Sequence, residues 1–244
     1  MKIHKLAGID IGSNSVRLLV SNVIESGNQV IFKKSSLTRL PIRLGPDAFG
    51  EDGKISKRNR KRLIAGMSAY RKIMEVHGVE KYRACATSAL RESTNGLQVV
   101  EEIYRETGVN IELISGKEEA RMIFNSDMLG ELATLKRSFL YIDVGGGSTE
   151  LTLFNKGEIV ASKSFKIGTI RLLKDMVKKK RWEEMQSWIE EHTQNMEEVL
   201  MVGSGGNINR TFKLAEKRKG ESMSLTLMKR LSKNLNEVDY EERM

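Results

Sequence analysis

The sequence predicts an α/β protein made of two similar halves, each opening on a three-stranded meander. Three observations predict it. The segments Leu6 to Val20 and Leu140 to Phe154 align without an internal gap when Asp10 is laid on Asp143, with one residue overhanging at each end. The stretches after the glycines of each, VRLLV and ELTLF, are short, aliphatic and partly alternating, as strands are. Beyond the first meander, helical and strand-like periods alternate, which implies a sheet extended by parallel strands with crossover helices.

In the first half, an apolar strand ends in Ile9, Asp10, Ile11 and Gly12, a polar turn of Ser13, Asn14 and Ser15 comes next, and a second strand leaves. A turn at Glu25 to Asn28 leads into a third. Ile55 to His77 carries apolar residues at helical spacing, with Leu63, Met67, Tyr70 and Met74 on one face, and stops at Gly78. A strand is expected around Tyr82 to Ala86, a helix over Leu97 to Glu106 ending at Gly108, a strand over Ile111 to Ile114, and a helix over Lys117 to Leu135. The order is βββαβαβα.

The second half repeats the meander, with Gly146, Gly147 and Ser148 in its first turn and Asn155 to Glu158 in its second. Helices are expected near Ile170 to Lys179 and Trp182 to Glu198, a strand over Val199 to Val202, and helices after Gly206 and after Ser224. By analogy with the first half, one more strand and one more helix are owed. The expectation is a second half that is short at its C-terminus and leaves a sheet edge exposed.

With 244 residues, 39% hydrophobic and 30% charged, the chain is ordinary for a globular protein and long enough for one large or two small cores. The duplication favours two, over residues 1–136 and 137–244. The single cysteine, Cys85, excludes an intramolecular disulfide framework and fits a reducing compartment, so the expected location is the cytosol. The apolar run at the N-terminus is too short for a signal sequence, and no stretch approaches the roughly 18 to 20 apolar residues of a membrane span. A membrane partner is not expected. The formal charge of +9 attracts polyanions over long range, whether nucleic acid, anionic lipid or a phosphate chain.

An aspartate at a strand end, followed by a glycine turn, can hold a divalent cation while the turn's N–H groups contact phosphate oxygens. One such loop reads equally well as a tight hairpin. Two in register, facing each other across a cleft, would clamp a phosphate group from both sides.

The segments GIDIGSNSVRLLV, ATSALRESTNG, ISGKEEARMIF, YIDVGGGSTELTLF, FKIGTIRL and VGSGGNINRTFKLA together resemble the successive signatures of the exopolyphosphatase and guanosine pentaphosphate phosphatase family, in its order and at its spacing. The resemblance covers nearly the whole chain. It implies the actin-like ATPase fold, with two ribonuclease H-like lobes each built on a βββαβα core, which agrees with the element order above. In the family the C-terminal segment completes the second lobe, and longer members carry a further helical domain.

The resemblance also implies roles for residues. Glu119 matches the family's catalytic glutamate, a general base that activates water for attack on the terminal phosphorus. Glu118 is its neighbouring competitor, and an ordinary first-turn helix acid favoured by the dipole is the plain alternative. Asp10, Asp143 and Glu150 match acidic positions around the metal and the attacking water, where carboxylates hold Mg²⁺; Asp143 and Glu150 count as catalytic together with Glu119. Ser13, Asn14, Ser15, Gly145, Gly146, Gly147 and Ser148 would then supply donors to phosphate oxygens.

Arg91 corresponds to the family's phosphate-binding arginine, whose planar fork suits two oxygens of one phosphate, with a surface arginine as the alternative. Gly203, Gly205 and Gly206 resemble a second-lobe loop that lies against an adenosine in nucleotide-using relatives. Here it lines the phosphate channel, binds a guanosine, or is a plain strand-to-helix turn. Arg17, opposite Glu150 in the duplicated alignment, is either a cleft cation or a strand residue facing solvent.

Two basic clusters, Arg58 to Arg62 and Lys178 to Arg181, would either guide a polyanion by their field or form solvated helix faces. Nucleic acid is not expected, because no recognised nucleic-acid module or interleaved aromatic platform accompanies them. His4, His77 and His192 lack metal-ligand spacing, and Cys85 reads as core filler. The function expected is removal of terminal phosphate from inorganic polyphosphate with Mg²⁺. Alternatives are hydrolysis of guanosine pentaphosphate and a non-catalytic sensor of polyphosphate or an alarmone. A sugar kinase or chaperone ATPase of the same superfamily ranks lower, since the chain has little room for the insertions those carry. Oligomeric state is open, with a homodimer as one outcome.

Overall fold

The computed structural model describes residues 2–27, 29–124, 137–218 and 221–237. The first half opens on β1 (Lys2–Ile11), β2 (Val16–Ser26) and β3 (Gln29–Leu40) and continues through α1 (Gly45–Ala48), α2 (Lys57–His77), β4 (Lys81–Ala86), α3 (Ser88–Glu92), α4 (Gly96–Thr107), β5 (Glu112–Leu113) and α5 (Gly116–Phe124). The second comprises β6 (Ser138–Val144), β7 (Thr149–Asn155), β8 (Glu158–Phe165), α6 (Thr169–Leu173), α7 (Lys179–Thr193), β9 (Val199–Ser204), α8 (Gly206–Leu214) and α9 (Leu225–Glu237). Two short helices, α1 and α3, have no counterpart in the sequence periodicity. The helix expected over Lys117 to Leu135 is described as far as Phe124, and its remainder, like Asn28 in the first meander's turn, lies outside the described residues.

Each half builds one mixed sheet, in the order β3-β2-β1-β4-β5 and β8-β7-β6-β9. The first two strands of each meander pair antiparallel, and β4 and β9 join β1 and β6 in parallel. Even an irregularity is duplicated. The register shifts between Val20 and Ser21 in β2 and between Leu153 and Phe154 in β7, the same aligned position in both halves. A bulge there sharpens the twist of each meander.

Helix α2 shows how sequence becomes packing. The Ser56 hydroxyl accepts from the Asn59 N–H at 3.3 Å to start it, and Gly78 ends it in the left-handed conformation, at φ 66°. Between these caps Leu63, Met67, Tyr70 and Met74 are all buried, as their spacing predicts. Each such burial contributes about 1.5–3 kcal/mol. The Tyr70 hydroxyl lies between the carbonyls of Val16 (2.9 Å) and Thr38 (3.1 Å), which ties the helix to the bulged meander.

The second core is smaller, gathered around Leu140, Leu151, Leu153, Phe165, Ile167 and Trp188. On its far side α8 and α9 bury no residue, and β9 ends the sheet with Met201 61% exposed. The helix expected over Ile170 to Lys179 is instead the short α6, and α7 spans Lys179–Thr193 rather than Trp182 to Glu198. The early stop is a left-handed cap: Asp175 adopts φ 54°, its N–H donates to the Leu172 carbonyl and the Met176 N–H to the Arg171 carbonyl. Glycine usually marks such a cap, so an aspartate there carries no visible signal. Among the described residues no helix is long and apolar enough to cross a membrane.

Candidate active site

The turns of the two first hairpins meet. Each is closed by its own glycine, Gly12 N–H to Ser15 O at 3.1 Å and Gly145 N–H to Ser148 O at 2.9 Å. The segment after each meander clasps the turn in the same way, Gly45 N–H to Ser13 O at 2.8 Å and Ile170 N–H to Gly146 O at 2.9 Å. A Cβ on Gly146 would lie 2.9 Å from Ser13 Cβ and 3.3 Å from Asn14 Nδ2, so glycine is what lets the two turns touch.

Between them opens a cleft of about 270 Å³. The first half lines it with Asp10, Gly12, Ser13, Asn14, Ser15, Arg17, Arg39, Thr87, Ser88 and Glu119. The second adds Asp143, Val144, Gly145, Gly146, Ser148, Glu150, Thr169, Gly205, Gly206 and Asn207. Equivalent registers here carry opposite charge: Asp10 lies across the ladder from Arg17, whereas Asp143 lies across from Glu150. The first aspartate is balanced by a guanidinium. The second faces another carboxylate, an arrangement that costs free energy unless a proton or cation intervenes.

The electrostatics reflect that crowding. Burial raises the Asp10 carboxyl, Arg17 opposes the rise, and Asp143 adds to it. Burial also raises Glu150, against hydrogen bonds from Ser148 (2.6 Å) and Ser164 (2.9 Å) to its Oε1. Glu119 is pushed up to about 8, first by burial, then by the charges of Glu150 and Asp143, with Arg91 pulling the other way. Its carboxyl takes no hydrogen bond among the described residues. Glu118, one position earlier, points to the outside and pairs with Arg83 at 2.7 Å, beside Glu112. Geometry thus separates two adjacent glutamates: Glu119 enters the cleft and Glu118 leaves it.

Three sequence candidates, Arg91, Gly147 and Gly203, do not line the cleft. Arg91 stands behind Glu119 with NH1 donating to the Ile114 carbonyl at 2.7 Å, and reaches the acidic cluster through its field. Gly147 faces the Phe49 ring and lies 2.7 Å, measured from a would-be Cβ, from Ser88 Oγ. Several contributors carry no motif that marks them. Ser88 Oγ sits 3.1 Å from Ser13 Oγ, and Tyr141 donates to Ser204 (2.6 Å), which donates to Asp143 Oδ1 (2.7 Å). Arg39, opposite Arg17 in the β2–β3 ladder, joins it in the cleft. Hydroxyls and strand arginines are common enough that only the register could have singled these out.

The basic clusters are elsewhere. Arg60 pairs with Glu102 at 2.7 Å, and Arg181 with Glu184 at 2.9 Å, both on helix surfaces away from the cleft. As donors for a cation the cleft offers carboxylate oxygens: those of Asp10, and the second oxygens of Asp143 and Glu150, which no hydrogen bond reaches among the described residues. Such hard donors fit Mg²⁺, which keeps water and takes one or two carboxylates together with substrate phosphates. Among the described residues no three acidic, histidine or cysteine side chains converge closely enough to hold an ion by themselves.

Comparison with known proteins gives the arrangement a family. The bifunctional 3-dehydroquinate synthase/phosphatase of Fusobacterium nucleatum is 30% identical over 248 residues, covering 95% of this chain and 37% of that protein. Exopolyphosphatase 1 of Mycobacterium tuberculosis is 32% identical over 171 residues, 70% of this chain and 48% of that one. The guanosine-5'-triphosphate,3'-diphosphate pyrophosphatase of Aliivibrio fischeri is 31% identical over 172 residues, 70% of this chain and 33% of that one. The chain spans less than half the length of these curated relatives. A solved PPX-GPPA enzyme from Aquifex aeolicus superimposes with a TM-score of 0.75 at 24% identity, over 99% of this chain and 84% of that one, so the two share a fold. The sequence model of the Ppx/GppA phosphatase family matches residues 20–242, and the chain therefore belongs to that family.

Proposed function

We propose that the chain hydrolyses the terminal phosphoanhydride bond of inorganic polyphosphate, with Glu119 as general base. The observation that carries this reading is the Glu119 carboxyl, free of hydrogen bonds among the described residues and pushed up to about 8, in a cleft floored by two glycine turns. At neutral pH such a carboxyl is mostly protonated until positive charge offsets the carboxylates around it. Asp10, Asp143 and Glu150 are the residues that would hold Mg²⁺, which when bound neutralises charge on the transferring phosphoryl group. Base activation is thereby tied to arrival of the cation and substrate together.

The remaining residues bind and orient. The turn of Gly145, Gly146 and Ser148 and that of Ser13, Asn14 and Ser15 offer N–H and hydroxyl donors to the terminal phosphate from opposite sides. Arg17 and Arg39, side by side in the ladder, would take oxygens of the next phosphates along the chain. Polyphosphate is favoured over guanosine pentaphosphate because no aromatic side chain lines the cleft among the described residues, which leaves no stacking platform for a guanine. The nearly equal likeness to relatives named for each substrate does not decide between them.

The test is phosphate release from long-chain polyphosphate with Mg²⁺, run with wild type and Glu119→Ala and with guanosine pentaphosphate in parallel. Release by wild type and loss of at least about 100-fold in the variant are expected, the scale of a removed general base. Cleavage of the nucleotide alone would transfer the reading to guanosine pentaphosphate. Binding of polyphosphate without any release would make the chain a sensor.

A further inference from the structure

One motif of the sequence remains unabsorbed by the proposed chemistry: FKIGTIRL, which supplies α6. Its Arg171 is only 9% exposed, unusual for a guanidinium. Burying such a charge costs several kcal/mol unless it is paired and its donors are used. Arg171 is engaged by three segments at once, two through its donors and one through its face. Its Nε donates to the Gly147 carbonyl at 2.6 Å, and its NH2 donates to Glu92 Oε2 at 2.8 Å. Its guanidinium carbon lies 4.1 Å from the centroid of the Phe49 ring.

These partners belong to both halves. Gly147 is in the second-half glycine turn; Glu92 ends α3, next to Arg91; Phe49 directly succeeds α1. Gly147 presses on the same Phe49 ring that Arg171 covers, and a side chain there would strike both the ring and Ser88 Oγ. The Gly147 carbonyl is therefore held from one side by Arg171 while the residue is held from the other by Phe49. Because a trans peptide is planar, fixing that carbonyl directs the Ser148 N–H away from Arg171. Ser148 is the residue that lines the cleft and whose hydroxyl holds Glu150.

We propose that Arg171 is a positioning residue, which locks the Gly145–Ser148 turn onto the wall of the first half formed by α3 and Phe49. It touches no reacting atom. It acts through the turn, by fixing the orientation of donors that must already be in place when charge develops on the transferring phosphoryl group. Glu92 completes the device by pairing with the buried cation, while Lys166, 60% exposed and 3.2 Å from the same carboxylate, is dispensable. This inference rests on the hydrolase reading for its kinetic consequence, although not for its structural one.

The experiment uses the full chain with Arg171→Lys, Arg171→Ala and, as a control, Lys166→Ala. Lysine keeps a charge against Glu92 but cannot hold the Gly147 carbonyl with a second, fixed donor. Arg171→Lys should lower kcat for polyphosphate about 10- to 100-fold with KM within about threefold, since donors acting in the transition state are lost and distal binding is kept. Amide exchange in the peptide spanning residues 144–149 should rise while the α2 peptide stays protected. Millimolar methylguanidinium, but not methylammonium, should restore part of the kcat lost in Arg171→Ala. Lys166→Ala should match wild type.

Wild-type kcat and unchanged exchange at 144–149 in Arg171→Lys would overturn the proposal. So would a global rise in exchange with no rescue by methylguanidinium, which is the signature of a purely structural ion pair. If wild type itself releases no phosphate, the hydrolase reading fails, and the exchange at 144–149 still decides whether Arg171 positions the turn.

Discussion

Replacing Glu119 with glutamine tests whether this carboxyl is held for chemistry or for structure. Its pKa is raised from an ordinary 4.5 to about 8. Between those values the folded protein keeps a proton that the unfolded chain releases, so the contribution to stability is fully present below pH 4.5 and is lost as pH rises through about 8. Each pH unit in that window removes up to about 1.4 kcal/mol, or ~3 kcal/mol by pH 7. Local relaxation and water reduce this. The expectation is that Glu119→Gln, which cannot ionise, makes the cation-free protein about 1–3 kcal/mol more stable at pH 7 to 8 and leaves it unchanged near pH 4.5. For a chain of this size that is a rise of roughly 2–10 °C in thermal midpoint.

The assay is thermal unfolding monitored by circular dichroism in buffers with chelator at pH 4.5, 7 and 8, wild type against variant. Asp10 and Glu150 are also raised and add to the wild-type trend, so the difference between the two proteins isolates Glu119. The same variant should lose phosphate release, giving a protein that is more stable and inactive. A lower midpoint for Glu119→Gln at pH 8 without cation would refute the reasoning. It would mean that the carboxylate is favoured where it stands, as a first-turn acid stabilised by its helix dipole would be.

Glu118→Ala should keep phosphate release within about twofold of wild type and change stability by no more than ~0.5 kcal/mol, because its partner Arg83 is exposed and retains Glu112; loss of turnover in a steady-state assay would reassign the base. Gly168→Ala should cost about 3 kcal/mol or more, since the added Cβ meets the backbone of Gly146 and Gly147, at 2.5 Å from the Gly147 carbonyl carbon, and backbone cannot swing aside. A drop in thermal midpoint of roughly 6 °C or more is expected, and a midpoint within about 2 °C of wild type would show that the turn is looser than described.

Much of this molecule is legible in its sequence because its signals are local. The alternation in VRLLV and ELTLF, the glycine turns, and the spacing of Leu63, Met67, Tyr70 and Met74 each report a backbone period or a turn geometry that a few neighbouring residues impose. The duplication carries that reading further, placing Asp10 and Asp143 at matching strand ends, and the structure extends it to matching bulges and matching turn hydrogen bonds. Where a local signal is absent, the sequence misleads. Asp175 ends α6 in a conformation usually marked by glycine, so the apolar period runs on past the helix's true end.

What the sequence by itself determined was the architecture and the two glycine turns. Only the tertiary structure decided the roles within them. It sent Glu119 inward and Glu118 outward, moved Gly147 from the cleft to the Phe49 ring, brought Ser88 and Arg39 to the cleft, and set Ser204 against Asp143. It also joined Arg171 to Glu92, 79 positions away. The reason is physical: a residue's charge state and duty depend on what lies within a few ångströms of it, and for Glu119, Gly147 and Arg171 those neighbours come from the other half of the chain.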